Sequence, residues 1–190
     1  MQQPQSQPGA PQPSGKWEFD PVNSCVSFVV RHFGVAFARG VFKKVQAQVV
    51  FDSANIPASS VTATIEMSSL DTNNQRRDDD VRAPGYLDVQ AHPTMTFQSK
   101  RIEPAGQRYK LIGDLTLKGV TKEVVFDMTY GGVTGKDGRG LQHAGFTAEG
   151  TINRRDFGVN GDVFMPDGSS TVADNIKVVL DIELRRMQAT

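Results

Sequence analysis

Three histidines (His32, His92, His143) and one cysteine (Cys25) are the residues of this chain best suited to metal binding or nucleophilic chemistry. Their spacing serves neither. The histidines lack the close pairing that seats zinc, and a single cysteine makes neither a thiolate cluster nor an internal disulfide. Cys25 falls inside an apolar run, where a thiol behaves as a small inert hydrophobe. The sequence has no Gly-x-Ser-x-Gly elbow and no phosphate-binding loop. Gly131, Gly132 and Gly138 lie in a polar loop without the following helix that a phosphate site needs. A scattered pair of carboxylates is the one catalytic arrangement left open. The expectation is a protein without catalytic residues, metal or cofactor, whose polar side chains hydrogen-bond and pair ions. His32, in phase with an apolar strand face, is either a donor to a ligand oxygen or a capped structural histidine. Arg39 beside Gly40 is either a cation at the same strand end or an ordinary solvated arginine. Arg77 and Asp78 belong to the mixed-charge run 76–82, which reads as a solvated helix face. Asn153 and Arg154 open a polar break between strands, read first as a turn network and second as ligand contacts.

The elements that must position these groups alternate with period two. From Tyr109 to Tyr130, Leu111, Leu115 and Leu117 share one parity with Gly113. Beyond the break at 118–121, Val124, Phe126, Met128 and Tyr130 resume the apolar beat. This predicts an antiparallel hairpin with one dry and one wet face, each arm of about ten residues and roughly 30 Å. Further dry rows are Val26, Phe28, Val30 and His32; Val45, Ala47, Val49 and Phe51; Val61, Ala63, Ile65 and Met67; and Met95, Phe97 and Ser99. Two more follow: Phe146, Ala148, Gly150 and Ile152, then Ile176, Val178, Leu180, Ile182 and Leu184. Phe42 is out of phase with the second row, which predicts a bend near Lys43-Lys44.

Residues 68–93 break the β rhythm. Thr72-Asn73-Asn74-Gln75 matches a capping box and predicts a helix from there to before Pro84-Gly85. Tyr86 to Val89 reads as another helical turn, and the insertion covers about 72–90. The whole predicts an all-β domain over 17–187: an eight-stranded antiparallel up-and-down barrel with a short helical insertion, a sandwich being its competitor. Small inward residues at Ala47, Ala63, Gly113, Ala148 and Gly150 leave room for a cavity.

Composition narrows the function. Lys plus Arg and Asp plus Glu are 21 each, so the formal net charge is zero, and no basic stripe invites nucleic acid. Residues 1–16, rich in Gln, Pro, Ser and Gly, read as a disordered tail without the features of a signal peptide. Taken at face value this predicts a cytoplasmic protein, with transient membrane contact left open. Long edge strands, with Tyr86 and Leu87 read as exposed, are compatible with a homodimer.

Several stretches, in order, resemble the YceI-like family of polyisoprenoid-binding, lipocalin-like proteins. They begin with Trp17-Glu18-Phe19-Asp20-Pro21 and Asn23 to Phe28, followed by Arg39-Gly40-Val41-Phe42, Ser69 to Thr72 and Arg77 to Val81. The more specific ones are His92-Pro93-Thr94-Met95-Thr96-Phe97-Gln98-Ser99, Gly113 to Lys122, and Ile152-Asn153-Arg154-Arg155-Asp156-Phe157-Gly158. Asn23-Ser24 and Asp80-Val81 depart from the family's frequent His-Ser and His-Leu. The resemblance implies an extended barrel enclosing a long isoprenoid lipid, such as an isoprenoid quinone or a polyprenyl phosphate. The expected lining is Phe28, Val30, Phe51, Ile65, Met67, Phe97, Leu115, Leu117, Phe126, Met128, Phe146, Val178, Leu180 and Ile182. Simple filling of a dry core remains the other reading of these residues. His32, Arg39, Asn153 and Arg154 are the expected headgroup contacts, and Arg77 and Asp78 would anchor the insertion as a lid. An enzyme acting on a prenylated or quinone substrate and a ligand-free interaction module are the alternatives.

Overall fold

The alternating rows are realised as one curled antiparallel sheet of eleven strands in a computed structural model that describes residues 16–186. The tail expected over 1–16 lies, Lys16 apart, outside the described residues, as does Met187. The strands are β1 (Trp17–Phe19), β2 (Cys25–His32), β3 (Ala36–Phe42), β4 (Val45–Val50), β5 (Ser60–Glu66) and β6 (Leu70–Asp71). After a helix α1 (Gln75–Arg82) come β7 (Thr94–Ala105), β8 (Arg108–Leu117), β9 (Val120–Val133), β10 (His143–Asn153) and β11 (Val172–Arg186). The spatial order is β4-β5-β7-β8-β9-β10-β11-β2-β3-β6, with β1 also on β11.

Eight walls account for these strands, because three walls are each broken into two strands: β1 with β2, β3 with β4, and β5 with β6. β1 and β2 lie end to end along the same edge of β11, Phe19 opposite Leu184 and Cys25 opposite Asp181. The break between them is an Asp20 turn, whose buried carboxylate accepts from the Val22 N–H at 2.8 Å and the Asn23 N–H at 3.2 Å. β3 and β4 form the second broken wall. Its bend falls at Lys43-Lys44, as the phase of Phe42 predicts, and the Lys43 and Lys44 N–H groups turn aside to Ser69. β3 therefore pairs with β2 and the two-residue β6, while β4 pairs with β5. No ladder joins β4 to β1 among the described residues; the barrel closes there through side chains, Trp17 meeting Phe51 edge-on at 5.1 Å.

The central hairpin forms as expected, β8 and β9 turning through Lys118 (φ 50°) and Gly119 (φ 75°), the positive pair of a tight two-residue turn. Two bulges are invisible to periodicity. Lys100 is extra on β7, and Gly131 is extra on β9 opposite Gly145. The first shifts the phase, so that Ile102 reaches the same dry face as Phe97.

The insertion differs in detail from the sequence expectation. Its N-cap is Asn74, whose side chain accepts from the Arg77 N–H at 3.0 Å, not Thr72. Asn73 adopts φ 61°, so the helical path cannot begin before it, and Thr72 bonds Asp78 instead. The helix ends at Arg82, ahead of Pro84. Residues 83–91 form turns rather than a helix. Tyr86 and Leu87 are not exposed but half-buried against the core, the Tyr86 ring lying over Gly161. The expected dimer loses that part of its basis.

Register sorts the connections to two ends. One end carries the β4–β5 connection, the β7–β8 turn, the 134–142 loop and the start of β1. The other carries the β2–β3 and β8–β9 turns, the 67–93 insertion and the 154–171 segment.

Candidate functional site

A cavity of ≈ 180 Å³ lies along the barrel axis towards the first end. β4 contributes its entire inward row, Val45, Ala47 and Val49, and β5 contributes Val61, Ala63 and Ile65. Met95, Phe97 and Ile102 come from β7, Leu111 and Leu115 from β8, Phe126 and Met128 from β9. Phe146, Ala148 and Ile152 of β10 and Val178, Leu180, Ile182 and Leu184 of β11 complete the long walls, with Phe19 and Val26 at the broken one. Phe51 and Ile56 fold in from the β4–β5 connection, and among the described residues Ser59 and Ser60 are the only polar ones in the lining.

Such walls define the chemistry. An ionised group inside them would lose its hydration without a partner, at a cost of several kcal/mol. An apolar chain loses nothing by leaving water and gains about 0.8 kcal/mol per methylene. Apolar cavities of about this size stay dry and take up small apolar molecules. Ser60 is exposed and Ser59 partly so, which makes this pair the polar rim. Next to it four rings meet: Phe51 contacts Tyr130 at 5.8 Å and Phe146 at 5.2 Å besides Trp17, and Tyr130 stacks on Phe146. Burial there pushes the Tyr130 hydroxyl pKa up.

Of the expected lining, Phe51, Ile65, Phe97, Leu115, Phe126, Met128, Phe146, Val178, Leu180 and Ile182 face the cavity. Phe28, Val30, Met67 and Leu117 do not. They point inward but sit nearer the second end, where the barrel is filled. Phe28 lies over Gly40 and 5.9 Å from Phe42, and Met67 and Leu117 are packed in the core with Phe157 and Val159. The small inward residues also divide. Ala47, Ala63 and Ala148 leave space, whereas Gly113 and Gly150 are roofed by neighbouring rings. A Cβ on Gly113 would come within 2.5 Å of the Phe97 ring, and one on Gly150 within 2.7 Å of Phe126. Each glycine lets a phenylalanine lie flat on the wall instead of across the bore.

The expected headgroup residues are not at the rim. His32 ends β2 at the opposite end, its ring 4.3 Å from that of Phe33. Arg39 points outward, over the Phe37 ring. Asn153 caps a short 3₁₀ turn by accepting from the Arg155 N–H. Arg154 is 3% exposed, and its five N–H donors are all committed. Nε reaches Ala173 O, Nη1 reaches Val159 O and Gly161 O, and Nη2 reaches Val172 O and Asp162 Oδ1, the last at 2.6 Å. Arg154 thus ties down the 158–173 segment and has no donor left for a ligand. Burial alone would raise the Asp162 pKa, but hydrogen bonds from Ser170, Arg154 and Arg155 outweigh it and hold it at about 2. Arg77 and Asp78 bond within the insertion, to the residue that follows β6: Arg77 donates to Thr72 Oγ1 and O, and the buried Asp78 carboxylate accepts from Thr72 N–H and Oγ1–H.

One cluster escaped the sequence reading. His143 bridges Glu183 at 2.8 Å and Asp137 at 3.1 Å, joining the 134–142 loop to β11 at the rim end. Hydrogen bonds to Asp137 and then Glu183 raise its pKa. Among the described residues no group of three or more His, Cys, Asp or Glu gathers as a metal site, and no helix is long and apolar enough to cross a membrane.

A curled antiparallel barrel around an apolar bore defines a lipocalin-like protein. The YceI-like domain matches residues 17–184, and the chain belongs to that family. A UPF0312 protein of Staphylococcus epidermidis is 35% identical over 162 residues, 85% of this chain and 92% of that protein. Among solved structures, Burkholderia cenocepacia BcnA superposes with a TM-score of 0.74 at 30% identity, covering 87% of this chain and 99% of BcnA. A polyisoprenoid-binding domain from Saccharophagus degradans, implicated in plant cell wall breakdown, shares the fold with a TM-score of 0.63 at 10% identity, covering 91% of this chain and 99% of its own.

Proposed function

We propose that the protein binds a long-chain isoprenoid lipid, a quinone or a polyprenyl phosphate, and carries or sequesters it. The tail runs along the cavity and the polar head stays at the Ser59–Ser60 rim. The observation that carries this reading is the composition of the walls, apolar everywhere except at that rim. Membership of the YceI-like family and the polyisoprenoid binding named for the S. degradans domain support it. The same walls favour binding over catalysis, because among the described lining residues only the Ser59 and Ser60 hydroxyls carry reactive atoms, and no acid or base lines the cavity beside them. The test is organic extraction and native mass spectrometry of the purified protein, before and after incubation with an isoprenoid quinone. A co-purifying or captured prenyl lipid is expected, with retention lost in Leu180→Asp and Phe126→Asp. No bound lipid and no uptake of added quinone would overturn the proposal, and spectral conversion of the quinone would point to an enzyme instead.

A further inference from the structure

The end opposite the rim carries an apolar surface that the barrel does not use. The β2–β3 turn exposes Phe33 (48%) and Val35 (83%), and the start of β3 exposes Phe37 (53%). The neighbouring loop exposes Val163 (63%), Phe164 (62%) and Met165 (37%). Backbone hydrogen bonds hold the two together: Phe33 N–H donates to Thr171 O, and Thr171 N–H to Val163 O, each at 2.8 Å. The result is a two-fingered apolar tip on a hydrogen-bonded base.

Turn chemistry does not explain the most prominent of these residues. Phe33 and Gly34 adopt φ 51° and 68°, closed by a hydrogen bond from Val35 N–H to His32 O. That geometry favours Asn, Asp or Gly at its first position, and a bulky side chain there is strained. A strained aromatic residue directed at water is better accounted for by what it touches than by the fold.

Arg31 and Arg39 flank the tip, their guanidinium groups 5.5 and 5.9 Å from the Phe37 ring centre. Of the acids in the second loop, Asp162 is paired with Arg154 and Arg155, while Asp167, hydrogen-bonded to Ser169, keeps its negative charge there. Exposed apolar side chains with two arginines beside them match the interface of an anionic bilayer. There the rings reach the acyl boundary while the cations meet phosphate.

We infer that this tip docks on an anionic phospholipid surface. The inference rests on the tip alone and holds whatever the cavity contains. Docked in this way, the protein turns its Ser59–Ser60 rim away from the bilayer, so the tip is an anchor and not the port of the cavity.

Sedimentation of the full chain with phosphatidylcholine vesicles, with and without phosphatidylglycerol, tests it. Binding is expected only with phosphatidylglycerol and should weaken with salt. Phe33→Asn combined with Phe164→Ser should lower the partition by about tenfold or more. Arg31→Gln and Arg39→Gln should each lower it about fivefold. Phe33→Asn relieves the turn, so its Tm should hold or rise, separating lost docking from lost folding. Lipid retention should survive the tip substitutions, and vesicle binding should survive Leu180→Asp, so the two proposals fail separately. Absence of binding to phosphatidylglycerol vesicles, or equal binding by the variants, would overturn the inference. So would a dimer in light scattering that the same substitutions dissolve, which would make the tip a self-interface.

Discussion

The two ends of the barrel are built from the same alternating strands and finish differently. Towards the β4–β5 connection the inward side chains surround a cavity; towards the insertion they are packed solid. The contrast comes from what each end receives. The 67–93 and 154–171 segments bring Met67, Phe157 and Val159 onto the open ends of the strands, where they join Leu117 in the core. The first end receives Phe51 and Ile56, which close it from the side without filling it. Strand periodicity decides which way a side chain faces. The loops decide whether it meets another one.

The largest test of this contrast is to remove one side chain from each end. Phe157 is 2% exposed, and Phe157→Ala should cost about 3–5 kcal/mol in urea unfolding. Leu180 is half-buried and faces the cavity, so it has fewer contacts to lose, and Leu180→Ala should cost under about 2 kcal/mol. Equal losses would mean that the two ends are equally packed. Gly113→Ala should sit between them, at about 1–3 kcal/mol, because its Cβ would lie 2.5 Å from both Gln98 O and the Phe97 ring. The displaced ring has only the bore to enter, so lipid retention should fall with stability, and unchanged retention would show that the flat ring does not keep the bore open.

The long faces were legible in the sequence because period-two patterning survives in every major strand, and the kink at Lys43-Lys44 showed as a phase error. Position along the axis was not legible. Phe28 and Leu117 have the same parity as cavity residues and differ only in what packs over them. The bulge at Lys100 hid Ile102, since one extra residue changes the phase without leaving a mark in composition. The rim was missed for a different reason: Ser59 and Ser60 follow an aperiodic loop. Arg154 was picked out by its place in a polar break, yet a buried hub and a ligand contact call for the same residue. Only the accounting of its donors separates them.

Each end also carries an ion cluster with a shifted titration, and these two clusters should respond to opposite pH changes. At the packed end Asp162 is held at about 2, below its ordinary 3.8. A depressed carboxyl stabilises the fold above its unfolded value and loses that contribution as protons bind it. Stability should therefore decline as pH falls from about 4 towards 2, and Asp162→Asn should flatten that part of the profile. An unchanged acid limb in the variant would place the sensitivity in other carboxylates.

The smallest effect belongs to the rim end. The His143 pKa is raised above its ordinary 6.5 by its two carboxylate partners, so the imidazolium favours the folded state. Its contribution is complete below 6.5 and disappears as pH rises through the higher folded value. His143 is about a quarter exposed, so solvent screens the pair and the change should be local rather than global. Amide hydrogen exchange, corrected for the intrinsic pH dependence, should show the 134–142 loop losing protection on going from pH 6 to pH 9 while the 154–171 segment keeps its own. His143→Gln should leave the loop pH-independent over that range. If both segments loosen together, or the variant still responds, the clasp at the rim is not this histidine, and the difference between an end that titrates above pH 6 and one that titrates only in acid falls away.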